Sequence, residues 1–223
     1  MNKLTTIYLV RHAQSETNII ELRRKIYGQI ESIRSPLTKL GVRQSQDLVK
    51  KIKDIHLDLI MSSDMERTRQ TAEIIARKRG MSVEVGDGIR ERSLYDYADT
   101  YEGKTYDQIR DEVKADLKAL DTESQKMKYK HSDFFESAEE AAIRIFNFLK
   151  EVAIAYFGKT ILIVSHGNLI RSFLTYIGYV SFDDLPGGSL ENTGYVVLET
   201  DGSNFNIRET QGLHIQKRAG RYF

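Results

Sequence analysis

The sequence predicts an α/β protein, a three-layer α/β/α sandwich with a mostly parallel central sheet and an inserted lid. Two observations carry that prediction. Short β-branched runs alternate with longer stretches of helical spacing along most of the chain, the pattern that builds parallel sheets flanked by helices. Reactive side chains also recur just after the strand-like runs, where ligands bind in such sheets. With 223 residues, one domain over 1–223 suffices, interrupted by a lid at about 94–133.

The elements follow in order. Ile7-Tyr8-Leu9-Val10 reads as a strand buried on both faces. From about Thr38 to Asp54 the apolar residues Leu48, Val49, Ile52 and Ile55 recur at helical steps. Leu59-Ile60-Met61 is a second strand. Asp64 is the expected N-cap of a helix reaching about Arg79. Ser82-Val83-Glu84-Val85 alternates as a third strand. Ser137 and Glu140 form a capping box, opening a helix whose apolar face carries Ile145, Phe148, Leu149, Val152 and Tyr156. Ile161-Leu162-Ile163-Val164 is a fourth strand, and Leu169 to Ile177 a helix that stops at Gly178. Tyr195–Leu198, the turn at Asp201-Gly202 and Phe205–Ile207 predict a terminal hairpin with an antiparallel edge. The stretch from Leu94 to Asp133, rich in Asp, Lys and Tyr, breaks this rhythm and is expected to cover the sheet edge.

Composition narrows the chemistry. The chain holds no cysteine, which excludes disulfides, thiolate catalysis and thiolate metal sites. Hydrophobic residues make up 40% and charged residues 29%, as in soluble globular proteins. The formal net charge of +1 offers no field for nucleic acid or acidic membranes, and the basic runs Arg23-Arg24-Lys25 and Lys217-Arg218 read as solvated surface. No apolar run approaches the ~18 residues of a membrane span, and no signal peptide precedes the first strand. The expectation is a cytoplasmic protein whose partner is a small substrate.

Four strands deliver chemistry to one edge. Arg11 and His12 follow the first strand. Ser62, Ser63 and then Arg67 follow the second. Arg90, Glu91 and Arg92 follow the third, and Ser165, His166 and Gly167 the fourth. Taken singly, each has a bland explanation: a hydrogen-bonded loop histidine, a surface arginine, a solvated charge cluster. Together they suit phosphoryl transfer, in which an anion needs forked cationic donors. Arg11 and Arg67 supply those, and Gln14, Ser15 and Asn18 are expected to add neutral donors. A neutral His12, its pKa lowered by neighbouring cations, can attack phosphorus. His166 is expected to stabilise the transferring group in protonated form. Glu91 can give the leaving oxygen a proton and later take one from water. Arg92 and Gly167 complete the expected substrate contacts.

At these residues the sequence resembles the histidine phosphatase (phosphoglycerate mutase-like) superfamily, on its phosphatase branch. Leu9-Val10-Arg11-His12-Ala13-Gln14-Ser15-Glu16-Thr17-Asn18 is similar to its "LVRHGxSxxN" signature. Ser62 to Ala72 is similar to "SSxLxRxxQTA", with Arg67 at the phosphate-binding position. Arg90-Glu91-Arg92 resembles the proton-donor region, and Ser165-His166-Gly167-Asn168 the second histidine motif. Ser35 to Gly41 and Glu136-Ser137 with Glu139-Glu140 match as well. The resemblance implies an α/β fold, a phosphohistidine intermediate at His12, and no metal or organic cofactor. Three departures stand out. Ala13 replaces the usual glycine, Asp64-Met65 replaces Pro-Leu, and a tyrosine-rich insert, Tyr95 to Tyr101, lengthens the spacing from Glu91 to Glu102-Gly103.

The leading reading is a metal-independent phosphatase for small phosphorylated metabolites. A cofactor-dependent mutase stands second: for mutases the resemblance implies a long basic, proline-containing segment after the proton-donor region, and Lys104 to Ser132 holds lysines but no proline and no paired arginines. A silent phospho-ligand or phosphoprotein binding module stands third. A metallohydrolase using His12 and His166 lacks a third clear ligand or a HExxH spacing. His56, His131 and His214 lie in polar contexts and are read as structural or exposed.

Overall fold

The computed structural model describes residues 4–19, 34–92, 106–133 and 135–216. Its elements run β1 (Thr5–Arg11), a 3-10 turn (Glu16–Asn18), α1 (Lys39–Lys51), β2 (Leu59–Ser62), α2 (Glu66–Arg79) and β3 (Glu84–Val85). After these come α3 (Tyr106–Ala119), α4 (Glu123–Lys128), α5 (Ala138–Ala155), β4 (Thr160–Ser165), α6 (Gly167–Tyr176), β5 (Leu190–Thr200) and β6 (Phe205–Leu213). The six strands form one sheet in the order β3-β2-β4-β1-β5-β6. The β3–β2, β2–β4 and β4–β1 pairs are parallel, whereas β5 is antiparallel to both β1 and β6.

Alternation along the strands sorts side chains into two layers. Ile7, Leu9, Leu59, Met61, Ile161 and Ile163 face α5 and α6, packing on Ile145, Leu149, Ile170 and Phe173. Val10, Ile60, Leu162 and Val164 face α1 and α2, against Leu48, Ile52, Ala72 and Ile75. Helices on both faces are what near-continuous apolar strands require.

The helix ends follow local chemistry. Thr38 caps α1 by accepting from the Gly41 N–H at 3.0 Å, and Ser137 and Glu140 close the expected capping box on α5. Asp64 does not cap α2. The cap position falls on Met65, which gives no side-chain cap, and the Asp64 carboxylate turns to the Arg90 guanidinium instead. The third strand is also shorter than its alternation suggests, only Glu84–Val85. The terminal hairpin is longer, because β5 begins at Leu190.

Within the predicted lid, two helices appear where helical spacing is weak. Leu117 of α3 and Met127 of α4 join Ala138 and Ala142 of α5 and Phe182 in a small apolar cluster. Lys126 fastens α4 to Asp183 at 2.7 Å. The tyrosine-rich insert and Glu102-Gly103 lie outside the described residues, as do both short basic runs.

Candidate active site

Strand register brings the site together. Arg11 on β1 is level with Ser165 on β4, and Ser62 on β2 is level with Val164. Each next residue therefore emerges at the same edge, placing His12, Ser63 and His166 side by side. The backbone enforces this, since the His12 N–H donates to Ser165 O at 2.9 Å and the Ser63 N–H to Val164 O at 3.1 Å. The two imidazoles sit edge to face with ring centroids 5.3 Å apart.

Hydrogen bonds fix both tautomers. His12 Nδ1 donates to its neighbour's carbonyl, Ala13 O, at 2.7 Å, which leaves the lone pair on Nε2. That lone pair accepts from Arg67 Nε at 3.1 Å. A second nitrogen of the same guanidinium, Nη2, donates to His166 Nδ1 at 3.2 Å. An arginine only donates, so His166 carries its proton on Nε2, which donates to Ser63 Oγ at 3.0 Å. Arg67 thus bridges the two rings from the first turn of α2, and all three side chains are buried.

Electrostatics follow from that burial. Desolvation, then the Arg67 and Arg11 charges, hold the His12 pKa well below 6.5. The sequence assigned this to the cations alone, but burial comes first. His166 is also pushed well below 6.5, by burial, Arg67 and His12 in that order. The same causes favour the neutral ring, whose Nδ1 accepts from Arg67. A phosphate dianion among these groups would reverse the sign of the field and favour its protonation.

The loop after β1 is braced from several sides. Gln14 O accepts from the Thr38 N–H at 3.0 Å, and Gln14 Oε1 from the Thr38 hydroxyl at 2.8 Å. The contact is close enough that a Cβ on Gly41 would stand 2.0 Å from Gln14 O, so only glycine fits there. Ser15 Oγ shares a hydrogen bond with the Thr17 hydroxyl at 2.9 Å, and Asn18 Oδ1 accepts from the Ser15 N–H at 3.0 Å. Ser15, expected as a phosphate donor, is buried and engaged within the loop. Gln14 and Asn18 give their amide oxygens to the same bracing. Ala13 has no positive φ, so the departure from glycine carries no strain. It sits fully buried, with its N–H on the Thr71 hydroxyl at 3.1 Å.

Arg11 packs along Gly167, where a Cβ would stand 3.1 Å from Arg11 Nε, and Arg11 Nη1 donates to Leu190 O. Glu91 and Arg92 form a neighbouring cluster at the N-terminus of α6. Glu91 Oε1 accepts from the Leu169 N–H at 3.1 Å and from the Arg92 N–H at 2.9 Å. Leu169 N is an otherwise open donor in the first turn of α6, so the helix end fixes one carboxylate oxygen. Arg92 Nε donates to Glu136 O at 2.8 Å.

Three residues of this site escape the sequence reading, and a fourth, Ser63, is named there without a role. Ser63 sets the His166 tautomer. Asn192 donates through Nδ2 to His12 O at 3.0 Å. Arg144 forks onto both Glu136 carboxylate oxygens at 2.8 Å and donates from Nη1 to Gly88 O and Arg90 O, at 2.9 and 3.1 Å. Arg171, an arginine amid the apolar residues of α6, is held down to about 10 by burial and then by Arg92. It lies over the Phe182 ring with its carbon 4.5 Å from the centroid. Ser63 alone had a signal, the paired serines after β2. Among the described residues no cluster of three or more His, Cys, Asp or Glu has metal-binding geometry, and no helix is long and apolar enough to cross a membrane.

Likeness to known proteins spans most of the chain. The model of the histidine phosphatase superfamily (branch 1) matches residues 7–211. A probable phosphoglycerate mutase, GpmB, of Proteus mirabilis is 44% identical over 88 residues, which span 40% of this chain and 38% of that protein. An uncharacterized phosphatase, PhoE, of Bacillus subtilis is 29% identical over 176 residues, 78% of each chain. The structure of Bacillus stearothermophilus YhfR superposes with a TM-score of 0.72 at 26% identity, covering 91% of this chain and 95% of that one.

Proposed function

The chain belongs to the histidine phosphatase superfamily, and on that footing we propose that it hydrolyses small phosphomonoesters through a phosphoryl group carried on His12 Nε2. The observation that carries this reading is the arrangement of His12. Its Nδ1 is tied to Ala13 O, and its Nε2 lone pair faces the Arg67 guanidinium. A phosphoryl group placed there meets a nucleophile and a forked donor together.

In the first half-reaction Nε2 bonds to phosphorus as the P–O bond to the leaving group breaks. Arg67 and Arg11 balance charge on the phosphoryl oxygens, and His166, protonated in the presence of the dianion, adds a donor. Glu91 gives its proton to the leaving oxygen. Oε1 is already held by two N–H groups, so Oε2 is the atom that carries that proton. In the second half-reaction water attacks phosphorus, the N–P bond breaks, and Glu91 takes the water proton. Inorganic phosphate leaves and His12 is neutral again. The two guanidiniums and the His166 imidazolium balance the charge in this scheme, which calls for no metal.

The likeness to a named mutase favours a second reading, in which the phosphoryl group returns to an organic acceptor instead of water. Two things favour the phosphatase. The phosphatase-named relative matches over 78% of the chain, whereas the mutase-named one matches over 40%. The lid also lacks paired arginines between Lys104 and Ser132. The test is hydrolysis of p-nitrophenyl phosphate and a panel of sugar and glycerate phosphates in chelator, for the natural protein and His12→Ala. Chelator-resistant hydrolysis lost in His12→Ala supports the phosphatase. Activity seen only as bisphosphoglycerate-dependent transfer between glycerate phosphates replaces it with the mutase.

A further inference from the structure

The first turn of β5 has no counterpart in the expected hairpin, which begins at Tyr195. From Leu190 to Tyr195 this strand advances five residues while β6 advances only two, Leu213 to Gln211. The extra residues bulge over the end of β1. Within the bulge Thr193 has φ +60, the one non-glycine positive φ among the described residues. A β-branched side chain is a costly occupant of that region. Gly194 must follow it, since a Cβ there would stand 2.9 Å from Gln211 O and 3.0 Å from Glu191 O.

The bulge places three groups on the end of β1 and the loop that follows it. Leu190 O accepts from Arg11 Nη1. The Thr193 N–H donates to His12 O at 3.4 Å. Asn192 Nδ2 donates to His12 O at 3.0 Å and to Asn18 Oδ1 at 3.3 Å. Both partners are acceptors, because Asn18 Oδ1 already receives the Ser15 N–H, so the orientation of the Asn192 amide is determined. The β1–β5 ladder ends at Val10 opposite Tyr195. Beyond that point the ladder no longer holds the His12 carbonyl, and the bulge takes over.

We infer that the Leu190–Gly194 bulge is a positioning device for His12, with Asn192 as its contact residue and the Thr193 backbone as the strain it carries. The catalytic part of this inference rests on His12 being the nucleophile. Asn192 touches the backbone of His12 and acts only through it. The carbonyl it holds is one bond from the Ala13 nitrogen, and Ala13 O fixes the imidazole tautomer. A shift of this turn therefore turns the Nε2 lone pair away from Arg67, and a displacement of about 1 Å at a reacting atom costs about a hundredfold in rate.

The test compares the natural protein with Asn192→Ala, Asn192→Asp and Thr193→Gly. Three readouts apply: the rate of phosphohistidine formation in a single turnover with an aryl phosphate, the ring ¹⁵N signals of His12, assigned with His12→Asn, and the melting temperature. Both Asn192 variants are expected to slow phosphorylation about 10- to 100-fold and to move the His12 ring signals toward mixed tautomers. The aspartate is expected to do so more, because it turns an acceptor toward an acceptor. Thr193→Gly relieves the positive φ and is expected to raise the melting temperature by about 2–4 °C. Asn192 variants with an unchanged ring spectrum and a phosphorylation rate within twofold of the natural protein overturn the positioning role. A lower melting temperature in Thr193→Gly overturns the strain. If the folded natural protein forms no phosphohistidine, the catalytic reading fails by itself, and the His12 ring spectrum alone then decides whether Asn192 positions that residue.

Discussion

Arg67 donates to His12 Nε2 at 3.1 Å and, with a second nitrogen, to His166 Nδ1 at 3.2 Å, so one guanidinium holds both imidazoles by their lone pairs. Arg67 thereby fixes both rings in one arrangement, and on the proposed reading it turns its fork to a phosphoryl group bound beside them. Lysine has the charge but not the fork and cannot span both rings. Arg67→Lys is expected to lower kcat/KM for p-nitrophenyl phosphate by about 10²- to 10³-fold, on the order of 3–4 kcal/mol of transition-state stabilisation. Steady-state kinetics check this, and a loss under fivefold would show that charge alone suffices.

Glu91 separates two kinds of substrate. An alkyl oxygen needs its proton on departure, whereas p-nitrophenolate leaves unaided. Glu91→Gln keeps an acceptor for the Leu169 and Arg92 N–H groups but carries no transferable proton. Phosphorylation of His12 by alkyl phosphates is expected to fall about 10²- to 10⁴-fold, and by p-nitrophenyl phosphate far less. Rapid-quench trapping of phosphohistidine separates this step from hydrolysis of the intermediate, and equal losses on both substrates would move the proton to another group.

Arg144 is a prediction that only the structure makes. It ties Glu136, on the approach to α5, to the carbonyls of Gly88 and Arg90, and so holds the strand-to-loop segment that ends in Glu91. Arg144→Ala should loosen that segment and reproduce the Glu91→Gln pattern in weaker form, about tenfold on alkyl phosphates with little change on aryl ones. Ratios of kcat for the two substrate classes check it. A uniform loss across both, tracking a fall in melting temperature, would reduce Arg144 to a stabilising role.

The parts legible in the sequence are those governed by period and by chain-local chemistry. The β1 and β4 runs are apolar throughout because helices cover both faces, and Ser137 with Glu140 announces a helix start within four residues. His12, Arg67 and His166 stand out because each follows a strand. What stayed hidden depends on contacts between distant segments. Asp64 has the right type for an N-cap, yet Arg90, 26 residues on, claims its carboxylate. Asn192 and Arg144 reach the site across separations of 180 and 56 residues, with no spacing to betray them. The ordering of causes at His12 was hidden too, since burial of an imidazole cannot be read from its neighbours in the chain.

That burial also makes stability depend on pH. His12 and His166 have folded pKa values well below the 6.5 of a free imidazole, so near neutrality both are uncharged whether the chain is folded or not. Below about pH 6.5 the unfolded chain takes up these two protons while the folded chain resists them. By linkage, stability is present in full above that pH and is lost as pH falls toward the folded pKa values, at up to about 1.4 kcal/mol per pH unit for each histidine. The melting temperature of the natural protein is therefore expected to drop more steeply between pH 6.5 and 5 than that of His12→Asn/His166→Asn. Saturating sulfate, a dianion throughout this range, should flatten the slope of the natural protein, because the bound dianion lets His166 keep its proton in the folded state. Parallel slopes for the two proteins would mean that the imidazoles are more hydrated than their packing around Arg67 implies.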